Sequence, residues 1–115
     1  MNIKSLIELT KQADWDDDHG VIIPENQWDI VTNLIEKIGI DEIDGVLPCG
    51  DGYIHLMFNR LPLKGLLEVG LEKSFWTVYN VTAWEDVYTE ELDVLDDAIP
   101  LIKEFIDGKK KNLSR

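Results

Sequence analysis

The first 40 residues place apolar side chains at the three- and four-residue spacing that is typical of amphipathic helices. One helix is predicted over residues 3–13, with Asn2 as its N-cap. A second is predicted between Pro24 and Gly39, since proline suits the start of a helix and glycine can end one with a left-handed residue. The apolar stripe of this second helix comprises Trp28, Val31, Leu34, Ile35 and Ile38. Two N-terminal helices joined by a polar loop are therefore expected.

The apolar spacing then changes to two, which is typical of half-buried β-strands. Strands are predicted over residues 53–59, 66–72 and 74–82, and residues 60–64 form a loop that contains Pro62. The side chains expected to face the core from the first two strands are Ile54, Leu56, Phe58, Leu67, Val69 and Leu71. The short connections favour an antiparallel meander. Residues 83–92 fit either a fourth, acidic edge strand or a loop.

The C-terminal segment returns to helical spacing over residues 93–107. Pro100 requires either that this helix start near Asp97 or that it be kinked. Gly108 is expected to end it, and residues 109–115 to form a basic disordered tail. We therefore predict a single compact α+β domain over residues 1–108. It has two N-terminal helices, a three- to four-stranded antiparallel sheet and a C-terminal helix packed on one face.

Length and composition favour one folded domain. The chain has 115 residues, too few for two independent cores, and 44% of them are hydrophobic. Its single cysteine, Cys49, excludes an intramolecular disulfide and fits a reducing compartment. The N-terminus lacks the pattern of a secretory signal, and no aliphatic run approaches the roughly 20 residues that a membrane span needs. We therefore expect a cytoplasmic protein with no membrane partner.

Negative charge is the most unusual property of the composition. The formal net charge is −12, and residues 1–108 alone carry seven basic and 23 acidic side chains, a net charge of −16. Such a body repels nucleic acid and anionic membranes, and it attracts basic partners. The four basic residues of the tail do not reverse this, so direct nucleic-acid binding is not expected. The alternative is that the acidity only keeps the protein soluble.

The loop at residues 14–25 shares part of the spacing of a calcium-binding EF-hand. Counted from Asp14, oxygen donors fall at positions 1, 3 and 5, and Glu25 falls at position 12. His19 stands where that loop needs glycine, and Gly20 comes one place late, which spoils the sharp turn that brings the ligands together. We therefore expect a solvated turn with Trp15 in the core, and neither a metal nor another cofactor. A calcium-binding helix-loop-helix is the alternative.

A second acidic segment, residues 84–97, combines negative charge with aromatic side chains. Its seven acids are Glu85, Asp86, Glu90, Glu91, Asp93, Asp96 and Asp97, and no basic residue lies among them. Trp84 and Tyr88 lie between the acids, and aromatic anchors rimmed by charge are typical of protein interfaces. The segment fits a docking face for a basic protein or, in a stronger form, a mimic of nucleic-acid phosphates. It fits equally an acidic edge that prevents strand aggregation, with both aromatic side chains packed inward.

Residues for nucleophilic chemistry are few. The chain has two histidines (His19 and His55), one thiol and three serines, and none of them lies in a G-x-S-x-G, H-E-x-x-H or P-loop motif. Cys49 and His55 could approach each other, but a cysteine in a turn and a histidine in a strand are usually structural. We therefore do not expect an enzyme, and we assign no catalytic residue.

Short motifs in the first two-thirds of the chain match a known pattern. Trp15-Asp16 is followed by Gly20, Pro24 and the second helix, and then by Pro48 and the run DGYIHLMF at residues 51–58. This order resembles small uncharacterised bacterial and phage-borne acidic proteins, in which a W-D…G…P helix precedes a P-x-x-D-G-x-I-x-L-x-(W/F) strand. The resemblance covers about residues 6–75 and implies a helix pair leading into an antiparallel sheet. It implies no catalytic residue, and the segment after residue 83 departs from it.

These observations favour a non-enzymatic interaction protein that binds and inhibits a basic partner, such as a toxin immunity protein or a phage inhibitor of host defence. The partner would be a nuclease toxin or a nucleic-acid-binding defence complex, and the protein itself a monomer or homodimer. The predicted partner-binding residues are Trp15, Asp16, Asp17, Asp18, Trp84, Glu85, Asp86, Tyr88, Glu90, Glu91, Asp93, Asp96 and Asp97. The alternatives are the calcium-binding module and an accessory subunit whose acidity is incidental.

Overall fold

The described part of the chain forms a five-stranded antiparallel sheet, with one long helix before it and one after it. A computed structural model describes residue 4, residues 23–49 and residues 51–113, with the backbone alone at residues 86 and 108–113. The helices are α1 (Glu25–Ile38) and α2 (Ala98–Leu113), and the strands are β1 (Gly45–Pro48), β2 (Ile54–Arg60), β3 (Leu63–Val69), β4 (Ser74–Asn80) and β5 (Glu85–Leu92). Two short 3-10 helices, Ile40–Glu42 and Leu95–Asp97, lie in the connections. The α+β class is confirmed, and the predicted helix at residues 3–13 lies, apart from residue 4, outside the described residues.

The strands form one sheet in the order β1-β2-β3-β4-β5, and each pairs antiparallel with its neighbours. The prediction of three or four strands is wrong because it lacks the short β1, which pairs Gly45 with Met57 and Pro48 with Ile54. Glycine and proline at the two ends of β1 conceal it, since both residues are depleted in strands. The segment that fitted either a strand or a loop forms the edge strand β5.

The β2–β3 hairpin is tighter than predicted. Arg60 pairs with Leu63, so only Leu61 and Pro62 form the turn, and β3 begins three residues earlier than expected. β3 consequently ends at Val69, and Leu71 lies in the next turn with 55% of its surface exposed instead of facing the core. The other predicted core residues of these strands, Ile54, Leu56, Phe58, Leu67 and Val69, are all buried.

Both helices pack on the same face of the sheet and close one hydrophobic core. The predicted stripe of α1 is buried, and α2 contributes Ala98, Ile102 and Ile106. Trp76 of β4 lies between sheet and helix, edge-on to Phe58 (ring centroids 5.8 Å apart) and to Phe105 of α2 (5.6 Å). Gly65 on β3 makes room for it, because a Cβ at that position would overlap the indole ring.

The ends of α1 are held by a glycine and by a buried amide. Gly39, at φ 102°, ends the helix as predicted, and its N–H donates to the Ile35 carbonyl (2.8 Å). Pro24 is the N-cap residue rather than the first helical one. Gln27 is buried, and its Nε2 donates to the carbonyls of Gly52 (2.8 Å) and Val69 (2.9 Å). This side chain therefore joins the first turn of α1 to the β1–β2 turn and the end of β3.

α2 begins at Ala98 with Pro100 in its first turn, which is one of the two arrangements that the sequence allowed. The helix continues through Gly108 to Leu113, so the predicted end at Gly108 is wrong. The division of the chain into a domain (residues 1–108) and a basic tail (residues 109–115) stays a prediction. Within the described ranges, no helix combines the length and apolar character that crossing a bilayer requires.

Candidate functional site

The second acidic segment lies at an edge of the sheet. In the described part of the chain, β5 pairs with β4 alone. Around its first half the apolar side chains are exposed: Trp84 by 83%, Val87 by 58% and Tyr88 by 41%. The sequence left open whether the two aromatic residues pack inward. The structure turns Trp84 fully outward and Tyr88 partly outward.

Trp84 owes its position to the β4–β5 turn. The Asn80 side-chain oxygen accepts hydrogen bonds from the backbone N–H groups of Thr82 (2.9 Å) and Ala83 (3.1 Å), which closes the turn. Trp84 then adopts φ 54°, in the left-handed region that bulky residues rarely occupy. The turn thus holds a large apolar ring in solvent at the start of the edge strand.

A β-bulge lets two consecutive side chains of β5 face the same side. Val78 pairs with Tyr88 and Tyr79 pairs with Asp86, so Val87 is the extra residue. In a regular strand neighbouring side chains point to opposite faces, and a bulge suspends that alternation locally. Val87 and Tyr88 therefore both line the groove between β5 and α2. A bulge also twists an edge strand away from foreign strands, which agrees with the protective interpretation of this edge.

The structure divides the acids of β5 between the two faces of the sheet. Glu90 pairs with the buried Trp76 and therefore lies on the helix side, as does Glu85, which pairs with Asn80. Glu91 pairs with Phe75 and lies on the opposite face. Asp93, Asp96 and Asp97 are exposed in the connection to α2, and the side chain of Asp86, the seventh acid, lies outside the described part of the structure. The segment is thus not one continuous patch, and Tyr88 shares a face with its helix-side acids, Glu85 and Glu90.

Two of the acids are neutralised by lysines. Lys73 Nζ lies 2.7 Å from Glu91 Oε1, and Lys37 Nζ of α1 lies 3.3 Å from Asp96 Oδ1. The pKa of Lys73 is raised above its ordinary value, first by its hydrogen bond to Glu91 and then by the charge of that carboxylate. Among the described residues, by contrast, no lysine or arginine forms an ion pair with Glu85 or Glu90. Uncompensated charge therefore remains on the helix side.

A groove of about 380 Å³ runs between β5 and α2 beside these acids. Its lining consists of Trp76, Val78, Val87, Tyr88, Leu101, Glu104 and Phe105. The pKa of Tyr88 is raised, chiefly because the partly enclosed ring loses hydration, and then by Glu90 and the charge of Glu104. An apolar floor with a carboxylate rim is therefore present at this edge.

A second cavity, of about 510 Å³, opens at the first turn of α1. Gln27, Tyr53, Gly70 and Lys73 contribute to its lining. The Nε2 of Gln27 is already bonded to two backbone carbonyls and the Lys73 ammonium to Glu91. The main polar donors of this cavity are thus engaged within the protein.

The acidic loop at residues 14–25 lies mostly outside the described residues, which include only residues 23–25 of it. Trp15, Asp16, Asp17 and Asp18, the predicted partner-binding residues of this loop, are among the residues that the structure does not describe. Within the described ranges, no three histidine, cysteine or acidic side chains converge as a metal site requires. Their partner-binding role and the calcium alternative both stay predictions.

His55 lies on the sheet face opposite the helices. Its Nε2 is 3.6 Å from Glu68 Oε2, and the two residues are register partners on β2 and β3. That nitrogen is buried and forms no hydrogen bond. Cys49 follows β1, and its backbone N–H donates to the Tyr53 carbonyl (2.8 Å). The geometry assigns no chemical step to either residue.

Sequence reasoning missed three side chains of the groove that come from α2. Leu101, Glu104 and Phe105 lie within the predicted C-terminal helix, but periodicity places them only on a helix, not beside β5. A weak signal existed: the connection from Leu92 to Ala98 is short, so α2 has to pack back near the strand that precedes it. Val87 was missed because alternation assigns it to the face opposite Tyr88.

Comparison with known proteins adds no relative. No protein-family model matches this chain, and no match was found among curated proteins or solved structures. The predicted similarity to small bacterial and phage-borne acidic proteins therefore stays a prediction, and function has to be argued from the residues of the site.

Proposed function

We propose that this protein is a non-enzymatic acidic interaction protein that binds a basic partner and blocks it. Toxin immunity and inhibition of a nucleic-acid-binding defence complex are the two settings that fit. The observation that carries the proposal is the helix-side edge at β5. There Trp84, exposed by 83%, directly precedes the strand that carries Tyr88 and the acids Glu85 and Glu90, which no lysine or arginine neutralises among the described residues. We call this surface, made of Trp84, Glu85, Val87, Tyr88, Glu90 and Glu104, the β5 surface.

The chemistry of the β5 surface suits a cationic macromolecule. Unpaired carboxylates attract a basic protein over a distance set by ionic strength and speed its association. A tryptophan and a tyrosine then contribute contact area at small cost in side-chain entropy, and such residues dominate the energy of many interfaces. Charge would thus determine how fast the partner arrives, and the aromatic rings how long it stays.

Mimicry of nucleic acid is the narrower form of the proposal. It requires carboxylates in rows comparable to phosphates, which follow one another at one charge per roughly 1.7 Å of duplex. β5 divides its acids between two faces and inserts apolar side chains among them. This arrangement supports a mixed apolar and acidic docking site better than an imitation of the phosphate backbone.

The proposal differs measurably from its main alternative, an accessory subunit with incidental acidity. We expect the immobilised protein to capture a nuclease or nucleic-acid-binding protein of net positive charge from a lysate of its native host. We further expect the purified captured protein to lose its cleavage or nucleic-acid-binding activity when one equivalent of this protein is added. Trp84→Ala and Tyr88→Ala should each weaken this inhibition at least tenfold, because an anchor residue typically contributes about 2 kcal/mol or more of binding free energy.

Two exposed apolar residues elsewhere provide matched controls. Leu61 also stands at a hairpin tip, with 68% exposed, and Ile30 on α1 is exposed by 41%, the same fraction as Tyr88. Leu61→Ala and Ile30→Ala should inhibit like the wild type. If the captured proteins are not basic, if their activity persists in the complex, or if the control variants lose as much as the β5 variants, the proposal is wrong.

A further inference from the structure

The groove between β5 and α2 has features that specify one type of side chain. Resting on the function proposed above, we infer that this groove seats an arginine of the basic partner, with the guanidinium between Glu90 and Glu104 and against the ring of Tyr88. The inference assigns a particular recognition site within the β5 surface. It rests on the apolar floor, the acidic rim and the size of the groove.

The floor of the groove is rigid and apolar. Trp76 is 1% exposed and is held by edge-on contacts to Phe58 and Phe105, and Gly65 leaves the space that its indole fills. Val78 and Leu101 extend this floor on the strand and on the helix. The methylene groups of an arginine can lie along such a surface while the charged end reaches its edge.

The rim of the groove is negative on two elements. Glu90 comes from β5, where its register partner is Trp76 of the groove floor, and Glu104 comes from the exposed side of α2 and lines the groove. Tyr88 lines the same groove as Glu104 and lies two residues before Glu90 on one face of β5, so both acids border the groove. No lysine or arginine forms an ion pair with either among the described residues. A cation placed there would therefore be attracted by two carboxylates.

The combination of an aromatic ring, two carboxylates and an apolar floor distinguishes arginine from lysine. The planar guanidinium stacks on aromatic rings and forms paired hydrogen bonds with carboxylates, and it is more weakly hydrated than an ammonium ion. Lysine supplies the positive charge, but it forms neither the planar stacking on the ring nor the paired hydrogen bonds with a carboxylate. A volume of about 380 Å³ is at the small end of the range for ligand pockets, which suits a single side chain.

Short peptides test this assignment directly. The probe is an acetylated and amidated GSRSG peptide, titrated to millimolar concentration into ¹⁵N-labelled protein at low salt and followed by amide chemical shifts. Two matched peptides carry citrulline or lysine in place of the arginine. Citrulline keeps the shape and loses the charge, and lysine keeps the charge and loses the planar fork. We expect saturable shifts confined to residues 76–78, 87–90 and 101–105, at least fivefold weaker for lysine and absent for citrulline.

Variants of the rim decide where the arginine binds. The double variant Glu90→Gln with Glu104→Gln should bind the arginine peptide at least tenfold more weakly. The double variant Glu25→Gln with Glu36→Gln, on the exposed side of α1, should bind it as tightly as the wild type. Equal binding of the lysine peptide, shifts spread over all acidic surfaces, or equal losses in the two double variants would each overturn the assignment. If the captured basic protein still depends on Trp84 while the arginine peptide shows none of these effects, the groove inference fails and the proposed function stands. If the peptide behaves as expected and no basic protein is inhibited, the groove inference stands and the proposed function fails.

Discussion

At the scale of single residues, the position of Trp76 depends on Gly65, which has no side chain. Gly65 faces the indole directly, and a methyl group there would overlap a ring that Phe58 and Phe105 already hold in place. Gly45 provides a matched control on β1, because its Cβ would meet the terminal methyl of Met57, the flexible end of a long side chain. The two glycines therefore differ in whether their neighbour can move.

We expect Gly65→Ala to lower the free energy of unfolding by about 2 kcal/mol, as overpacking of a rigid core does. Gly45→Ala should cost less than about 1 kcal/mol, because methionine adapts to irregular space. Urea denaturation followed by tryptophan fluorescence measures both. Equal losses at the two positions would show that Trp76 is not held as described.

Two titrating residues near β5 make stability depend on alkaline pH. The pKa values of Lys73 and Tyr88 are both raised in the folded protein above their ordinary values of 10.5 and 10.0. A group whose pKa is raised by folding contributes stability that is complete below its unfolded pKa and is lost as pH rises through the folded one. The stabilisation should therefore be unchanged from neutral pH to about pH 9 and decline above about pH 10.

Denaturation midpoints between pH 7 and pH 11 test this dependence. The double variant Lys73→Met with Tyr88→Phe should show a shallower decline above pH 10 than the wild type, because it lacks both groups. Lys103→Met, which removes one exposed lysine from α2, controls for the change in net charge. A decline of the same steepness in all three proteins would contradict the assigned contacts.

At the scale of elements, one buried amide connects the first helix to the sheet. Replacing Gln27 by leucine keeps the approximate volume but leaves the carbonyls of Gly52 and Val69 without their donor. An unsatisfied buried polar group costs about 1–3 kcal/mol, so we expect Gln27→Leu to destabilise the protein by about 2 kcal/mol or more. Asn26→Leu changes an exposed neighbour on the same helix turn and should alter the free energy of unfolding by no more than about 0.5 kcal/mol. A neutral effect of Gln27→Leu in thermal or urea unfolding would refute this role.

The elements that sequence reasoning predicted correctly are those in which periodicity and burial agree. The stripe of α1 and the alternation of β2 follow directly from apolar spacing, and both are buried as expected. β1 was not predicted because its four residues include glycine and proline. The start of β3 was placed too late because Pro62 indicates a longer loop than the two-residue turn that forms. Local pattern predicts an element, whereas hairpin length depends on the partner strand.

The candidate site follows the same rule. Trp84 and Tyr88 could be selected from the sequence, because aromatic residues within an acidic run are a local signal. Val87 and the residues of α2 could not, since one depends on a bulge and the others on how a helix packs against a strand. The division of acids between two faces likewise appears only once the register of β5 is known.

At the scale of the whole molecule, the proposed docking site depends on where the acids lie rather than on how many there are. A net charge of −12 raises the association rate with any basic protein. A docking site requires more, namely that acids near the anchors count for more than equally exposed acids elsewhere. α1 offers such a reference in Glu25, Asp29 and Glu36, all exposed.

The most direct test compares two triple variants of equal charge. Glu85→Gln, Glu90→Gln and Glu104→Gln neutralise the β5 surface, and Glu25→Gln, Asp29→Asn and Glu36→Gln neutralise the same number of acids on α1. Stopped-flow association with the captured basic protein is measured across a range of salt concentrations. We expect the β5 variant to associate about tenfold more slowly at low salt and to depend less on salt, while the α1 variant associates at nearly the wild-type rate. Equal slowing of both variants would show that total acidity, and not the β5 surface, attracts the partner.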